Sequence, residues 1–354
     1  MTSETGPGAG KPRRRPRYPG RNPRRFEDRY KEREPERFPE TAAKVVASGK
    51  TLAGTHRPVL VAEVLDALRP APGEVGVDAT LGFGGHAEAI LPRLLPGGRL
   101  VALDVDPIER PRAEARLRGK GFGPEVLSVR SSNFAGLPKV LAAEGLEGAD
   151  VVLADLGVSS MQLDDPARGF SWKGDGPLDL RLNPTRGASA RDLLARVSAR
   201  RLERLLRENA DEPHAELIAR AVVAARQTAP IETTAALAGL IRGALAALPE
   251  RALLEAGTST LSRVFQALRI EVNEELLALD AFLRALPSCL RAGGRAAVIS
   301  FHSGEDRRVK RAFRDGLRCG VYREVAPGPV VASEEERRAN PRAAPAKLRW
   351  AVKA

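Results

Sequence analysis

The chain has 354 residues, and 43% of them are hydrophobic, which excludes a wholly disordered protein and allows a full-sized core with an additional domain. Lys and Arg number 57 against 45 Asp and Glu, a net charge of +12, and the first 50 residues hold 14 of these bases and 7 of these acids. No apolar run reaches the roughly 18 residues of a membrane span, and two cysteines are too few for a disulfide framework or a zinc site.

Residues 1–53 form a basic segment that is rich in Pro and Arg and contains a few aromatic residues, such as Tyr18 and Phe26. The segment lacks the aliphatic side chains that a core requires, so we predict a disordered tail. Its charge suits sequence-independent contacts with RNA phosphates, whose strength falls with salt. A solvated extension without a role is the alternative.

Four predicted strands each end in glycine, acidic or hydroxyl residues. Three of them cover residues 100–103, 151–154 and 296–301, and the first ends near residue 78. The polar residues that follow them are, in chain order, Asp78 with the loop of Gly82, Gly84, Gly85 and His86, then Asp104, then Asp155, and then His302. Ligands bind beyond the carboxyl ends of the strands in open α/β sheets. The pattern therefore predicts an enzyme with a nucleoside-type cofactor.

The glycine loop alone leaves two cofactor classes open. Gly82-x-Gly84-x-x-Ala87 fits the dinucleotide fingerprint, in which the backbone approaches a pyrophosphate. Asp104, 22 positions after Gly82, suits a ribose diol, which NAD and S-adenosylmethionine share. The methyl donor differs because it carries a sulfonium and an ammonium, near which Asp78 and Asp155 could place acids. We favour S-adenosylmethionine, and an NAD-dependent oxidoreductase on a similar fold stays open.

The amino-acid composition and the spacing of apolar residues change in the middle of the chain. Residues 164–262 are rich in Ala, Leu, Arg and Glu at helical spacing, and three prolines divide them into several helices. We predict a helical insertion between the catalytic segments 54–163 and 263–354. It would form the second wall of the substrate cleft, and a module that serves only stability is the alternative. A further predicted helix, residues 261–279, carries an apolar stripe that we expect to pack on the sheet: Val264, Leu268, Val272, Leu276 and Leu279.

Six blocks between about residues 54 and 350 carry a resemblance to a known family. They are His56-Arg57-Pro58-Val59-Leu60, residues 78–86, 155–183, 265–273 and 300–307, and Asn340-Pro341-Arg342-Ala343. The chain resembles the bacterial MraW-type family of small-subunit rRNA cytosine-N4 methyltransferases. This resemblance implies a Rossmann-like, S-adenosylmethionine-dependent α/β methyltransferase sheet with an inserted all-helical domain. It also implies a cytoplasmic enzyme that methylates N4 of a cytidine in the decoding centre of 16S rRNA, within the 30S subunit.

Two other functions stay open at this stage: an NAD-dependent oxidoreductase on a similar fold, and a non-catalytic rRNA-binding assembly factor that kept the fold. The oligomeric state, monomer or homodimer, is also open. The resemblance assigns Asp155 and Gln162 to cofactor contact, although Asp155 could also orient the substrate amine. Phe134, after a predicted strand at residues 126–129, is expected to flank the adenine.

The substrate side has fewer candidates. Phe170 and Trp172 could stack on a flipped-out cytosine, or Trp172 could anchor its own loop. His302 is expected to face the substrate or to cap a helix, and neither a hydrolytic nor a metal site is favoured there. The candidate catalytic residues are Asp155, Trp172, Asp179 and His302. The candidate cofactor-binding residues are Asp78, Gly82, Gly84, Gly85, His86, Asp104, Phe134, Asp155 and Gln162.

Overall fold

A computed structural model describes residues 58–246 and 248–354, with backbone only at residues 160 and 250–258. Within these residues one sheet has the strand order β3-β2-β1-β4-β5-β8-β6, and β7 pairs with β8. The strands are β1 (Val75–Asp78), β2 (Arg99–Asp104), β3 (Leu127–Ser131), β4 (Ala149–Asp155), β5 (Leu290–Ser300), β6 (Tyr322–Val325), β7 (Val330–Val331) and β8 (Lys347–Lys353). Strands β1 to β5 are parallel, and β8 runs antiparallel to β5, β6 and β7.

Helices precede, connect and follow these strands. In chain order they are α1 (Val61–Leu68), α2 (Gly85–Leu94), α3 (Glu109–Gly119), α4 (Leu137–Ala143), α5 (Ser160–Asp164), α6 (Ala190–Arg196), α7 (Ala199–Ala210), α8 (Ala215–Ala225), α9 (Thr234–Leu245), α10 (Glu250–Val272), α11 (Glu275–Cys289), α12 (Ser303–Arg318) and α13 (Glu334–Ala339). Short 3₁₀ turns cover Phe134–Gly136, Pro166–Arg168 and Pro341–Ala343.

The sheet is covered on both faces because successive strand residues point to opposite sides. Leu100 and Ala102 of β2 join one apolar cluster, to which α1, α2 and α3 contribute. Val101 and Leu103 join a second cluster, with side chains from α4, α11 and α12. Both faces of the parallel strands are thus buried, and ligands have access at their ends.

The four strands predicted from the sequence correspond to β1, β2, β4 and β5. The last begins earlier than predicted, at Leu290, and ends at Ser300. The additional strand predicted at residues 126–129 is β3. Because β1, β2, β4 and β5 are parallel, their polar carboxyl ends meet at one edge of the sheet, as the sequence pattern predicts.

A third apolar cluster holds the helical part of the chain together. It draws on α6 to α9 and on the second half of α10, and its buried members include Leu194, Leu206, Ile218, Ile241 and Leu268. In α7 the buried Leu202, Leu205 and Leu206 follow the spacing of an amphipathic helix. The limits of the helical insertion, 164–262, stay a prediction.

The single helix predicted over residues 261–279 is wrong. Helix α10 ends at Val272, Glu274 adopts a left-handed backbone with φ 51°, and α11 begins at Glu275. The apolar stripe is divided accordingly, because Val264 and Leu268 pack in the helical cluster whereas Leu279 packs against the sheet. The expectation that the whole stripe covers the sheet is therefore wrong as well.

The predicted tail, residues 1–53, lies outside the described residues, as do His56 and Arg57 of the first matching block. Across residues 58–246 and 248–354, no helix combines the length and apolar character that crossing a membrane requires.

Candidate functional site

A cleft of about 760 Å³ opens where β1, β2, β4 and β5 end. The loops after these strands supply many of its lining residues. Others come from the helical part, among them Lys173, Leu182 and Gln266, and from the 3₁₀ turn at Pro341–Ala343. The cleft therefore lies between the strand ends and the helical part of the chain.

The glycine loop after β1 has a backbone that favours glycine. Gly82 and Gly84 have φ values of 50° and 83°, in the left-handed region that residues with a Cβ rarely adopt. Gly85 is close to Pro58, since a Cβ added there would lie 2.8 Å from the proline Cγ. Gly82 and Gly85 line the cleft, whereas Gly84 faces Arg116 and is not among its lining residues.

Asp104, at the end of β2, joins this loop to the cleft. Its Oδ2 accepts a 2.7 Å hydrogen bond from the Gly82 N–H, and its Oδ1 accepts one of 2.8 Å from the Asp106 N–H. Burial raises the pKa of Asp104, and these backbone donors oppose that shift. A carboxylate has about four acceptor positions. Asp104 therefore retains the capacity to accept bonds from two vicinal hydroxyls.

A buried group of two acids and one histidine lies beside the loop. His86 Nε2 is 3.5 Å from Asp155 Oδ2, and both residues line the cleft. Asp78 is buried behind them, and burial raises the pKa of Asp78 to about 6. Burial alone would lower the pKa of His86, but Asp155 and Asp78 outweigh it, so the pKa of His86 is raised.

Several polar atoms of this group lack hydrogen-bond partners among the described residues. They are Asp78 Oδ2, both ring nitrogens of His86, and Asp155 Oδ1. Unsatisfied buried polar atoms are uncommon and call for an explanation. These atoms are buried, but the Asp155 side chain as a whole is 24% exposed and lines the cleft. An electropositive ligand there could pair with this carboxylate, whereas a pyrophosphate would face carboxylates. These acidic acceptors therefore suit the ammonium and sulfonium of a methyl donor better than a dinucleotide.

Gln162 lines the cleft from helix α5 and is fixed by three contacts. Its Oε1 accepts from the Ser159 N–H at 2.8 Å, and its own backbone N–H donates to Ser159 Oγ at 3.2 Å. Its Nε2 donates to Asp106 Oδ2 at 2.7 Å. Arg168 Nη1 reaches the same carboxylate oxygen at 2.8 Å. Gln162 thus links the loop after β4 to the loop after β2.

Phe134 lines the cleft from the turn after β3. Its ring makes an edge-to-face contact with Phe282 of α11, with centroids 5.6 Å apart and planes at 74°. Phe282 is fully buried, so Phe134 has a fixed support. An aromatic ring in this position can pack against a nucleobase.

His302 and Glu305, at the start of α12, line another part of the cleft. His302 Nε2 lies 3.2 Å from Glu305 Oε1, and Glu305 Oε2 accepts from the Phe301 N–H at 2.8 Å. Burial would raise the pKa of Glu305, but His302, the Phe301 N–H and Arg269 together lower it. Glu305 is therefore a buried carboxylate beside the imidazole.

Arg269 and Glu275 are charged residues of the cleft that were not singled out from the sequence. Arg269, near the end of α10, forms two hydrogen bonds of 2.8 Å with Glu275 at the start of α11. Both line the cleft. The only available signal was the position of Arg269 in the matching block at residues 265–273, because the pair depends on the break between α10 and α11.

Not every predicted site residue reaches the cleft. Trp172 is not among the lining residues, and its Nε1 donates to Ser262 Oγ at 3.3 Å while its ring packs against the helical cluster. Asp179 is not among the lining residues either. Its carboxylate accepts hydrogen bonds of 2.8 and 2.6 Å from the Arg181 guanidinium. Burial would raise the pKa of Asp179, but Arg181 lowers it. Phe170 is buried in the helical cluster, and Asp78 also lies behind the cleft wall.

Comparison with known proteins gives a family match over most of the chain. The model for the MraW methylase family matches residues 53–354. Ribosomal RNA small subunit methyltransferase H 1 of Lachnoclostridium phytofermentans is 49% identical over 315 residues, which cover 89% of this chain and 86% of that relative. Ribosomal RNA small subunit methyltransferase H 2 of Alkaliphilus metalliredigens is 49% identical over 313 residues, covering 88% and 89%. A solved rRNA methylase of Streptococcus thermophilus aligns with 11% identity and a TM-score of 0.39, over 84% of this chain and 97% of that one.

Proposed function

The chain belongs to the MraW methylase family, and from this premise we propose that it methylates N4 of a cytidine in the decoding centre of 16S rRNA, within the small ribosomal subunit. The methyl donor is S-adenosylmethionine. The observation that carries the proposal is the cleft at the strand ends, where Asp104 and Asp155 present acceptor atoms beside the glycine loop.

The strand-end residues would hold the cofactor. Asp104 accepts hydrogen bonds from the ribose hydroxyls, and Phe134 packs against the adenine. Asp155, whose side chain is partly exposed in the cleft, accepts from the ammonium, and Gln162 lines the same cleft. When bound, S-adenosylmethionine supplies an electrophilic methyl group.

The chain must also activate a poor nucleophile. The lone pair of the cytosine amine is delocalised into the ring, so the amine has to be oriented and its N–H groups hydrogen-bonded. We assign this role to His302, which lines the cleft next to the buried carboxylate of Glu305. The amine nitrogen of the cytosine becomes cationic as it gains the methyl group. This nitrogen then loses a proton, and His302 accepts it. Glu305 stabilises the imidazolium through its negative charge.

The helical part is proposed to recognise the RNA around the target base. The cytosine must leave its stack to enter the cleft, and Lys173, Ser262 and Gln266 line the cleft from residues 164–272. Trp172 and Asp179 do not line it, so we assign neither a direct contact with the base. Their surroundings support a role in holding the loop at residues 169–182 against the helices.

Transfer of radioactive label from tritiated S-adenosylmethionine to purified 30S subunits tests the proposal, with 50S subunits as the matched control. Label in the 30S RNA and none in the 50S RNA supports it. Binding to 30S subunits without transfer would indicate an assembly factor. Fluorescence energy transfer from the protein to bound NADH, together with a failure of S-adenosylhomocysteine to displace that NADH, would indicate an oxidoreductase. Either of these results contradicts the proposal.

A further inference from the structure

Helix α12 carries a row of cations on its exposed side. We call this row the α12 basic stripe, and its members are Arg307, Lys310, Arg311, Arg314 and Arg318. Together with Asp315 they line a shallow groove of about 350 Å³, separate from the cleft at the strand ends. All five cationic residues are exposed.

The stripe lies on one side of the helix because the other side packs against the sheet. Glu305, Val309 and Phe313 are the buried residues of α12, and they repeat every four positions. At about 100° per residue, the positions 307, 311, 314 and 318 fall on the opposite side. Packing of the sheet therefore fixes which way the stripe faces.

Most of the charge in the stripe is not neutralised within the described part of the chain. Arg318 pairs with Asp315 at 2.5 Å, and Arg307 lies 4.0 Å from Asp211. Lys310, Arg311 and Arg314 form no ion pair with any described residue. Like charges at neighbouring positions on a helix destabilise it. The stability of α12 therefore gives no reason for this arrangement, whereas binding of a polyanion does.

The stripe begins at the cleft. His302 precedes α12 and Glu305 lies in its first turn, and both line the cleft where the target base is proposed to enter. Arg307 follows two residues later, and the stripe continues for eleven residues, about 16 Å at 1.5 Å per residue. If a base of an RNA strand occupies the cleft, the adjoining part of that RNA strand can therefore follow the cations along α12.

We propose that the α12 basic stripe binds the phosphate backbone of the RNA next to the target base. This inference rests on the proposed function. Guanidinium groups pair with phosphates through two parallel hydrogen bonds, which suits the three arginines at positions 307, 311 and 314. The continuity of the stripe with the cleft favours RNA over an acidic protein or an anionic membrane, because neither of these would engage the cleft.

The test uses the full-length chain with Arg311→Gln and Arg314→Gln combined. The matched control is Arg93→Gln combined with Arg112→Gln, two exposed arginines on α2 and α3, which pack on the opposite face of the sheet. The readout is the dissociation constant for fluorescently labelled 30S subunits over a series of salt concentrations. Loss of two single-strand phosphate contacts should weaken binding roughly ten- to thirtyfold near 0.1 M salt and reduce the log–log salt slope by about 1.4.

A conservative variant separates charge from folding. Arg311→Lys combined with Arg314→Lys should restore most of the binding, because lysine still binds phosphate as a point charge. The affinity for S-adenosylhomocysteine should equal that of the unaltered chain in all variants. The inference is overturned if the glutamine variant binds 30S subunits with unaltered affinity and slope, or if it loses only binding to anionic vesicles. If the unaltered chain itself neither binds nor methylates 30S subunits, the proposed function fails, and this inference fails with it.

Discussion

The carboxylate of Asp104 accepts a 2.7 Å hydrogen bond from the backbone N–H of Gly82, 22 positions earlier in the chain. One side chain thus fixes the glycine loop and lines the cleft at the end of the adjacent strand. The loop and the acceptor proposed for the ribose are therefore parts of one arrangement, and a change at Asp104 should affect the cofactor directly.

Asp104→Ala should weaken binding of S-adenosylhomocysteine at least tenfold, because two ribose hydroxyls lose a charged acceptor worth roughly 1.5–3 kcal/mol per hydrogen bond. Isothermal titration calorimetry measures this, with Asp66→Ala on the exposed side of α1 as the control. Affinity within threefold of that of the unaltered chain would remove Asp104 from the ribose site.

His302→Ala should lower kcat while leaving the affinity for S-adenosylhomocysteine within about twofold. The reason is that His302 is assigned to the substrate amine and not to the cofactor, and a positioned acid or base contributes typically about 10²–10⁴-fold. Ser303→Ala, at the adjacent exposed position, serves as the control. A parallel loss of cofactor affinity and kcat in the His302 variant would place the imidazole on the cofactor side instead.

Asp78 should make the stability of the protein depend on pH in a predictable direction. The pKa of Asp78 rises from 3.8 to about 6 in the folded chain, so the native state binds the proton more tightly than the unfolded state. The stability that this proton contributes is fully present below about pH 4 and is lost as the pH rises through about 6.

Asp78→Asn removes this titration. The free energy of unfolding of the variant, relative to that of the unaltered chain, should therefore increase by about 1–1.5 kcal/mol between about pH 5 and pH 7.5. Urea denaturation at a series of pH values provides the measurement, and Asp66→Asn is the exposed control. A difference that stays constant over this range would mean that Asp78 keeps its ordinary pKa.

We expect Trp172 to affect activity by stabilising the folded chain and not by contacting the substrate. Trp172→Ala removes packing against the helical cluster and the hydrogen bond to Ser262, and should lower the free energy of unfolding by about 1–3 kcal/mol, less than for a fully buried Trp. Trp172→Phe keeps most of the packing and should lose less. The melting temperature and the rate of methyl transfer per folded molecule distinguish a structural role of Trp172 from a direct contact with the cytosine. A Trp172→Ala variant that melts normally but has lost methyl transfer would favour stacking of this ring on the cytosine.

The strand-end residues of the site could be predicted because their signal is local. Each strand is a short apolar run that ends in a polar residue, and parallel strands bring their carboxyl ends to one edge. Asp104 and Asp155 could therefore be placed together from the sequence. Their roles toward the cofactor remain predictions, because the pattern gives their position and not their contacts.

The break between α10 and α11 could not be predicted, because no Gly or Pro marks it. Asn273 is held there by long-range contacts: its Oδ1 accepts from the Leu182 N–H at 2.7 Å, and its Nδ2 donates to the Leu180 carbonyl oxygen at 2.8 Å. These partners lie about 90 positions away in the chain. The Arg269–Glu275 pair spans the same break.

The central claim is tested most directly by identifying the methylated nucleoside. 30S subunits are incubated with the protein and labelled S-adenosylmethionine, and their 16S rRNA is digested to nucleosides and to fragments for mass spectrometry. We predict N4-methylcytidine at a single position, within the fragment that contains the decoding centre. Label in 5-methylcytidine, in a 2′-O-methylated nucleoside, or in a fragment outside the decoding centre would contradict the proposed reaction.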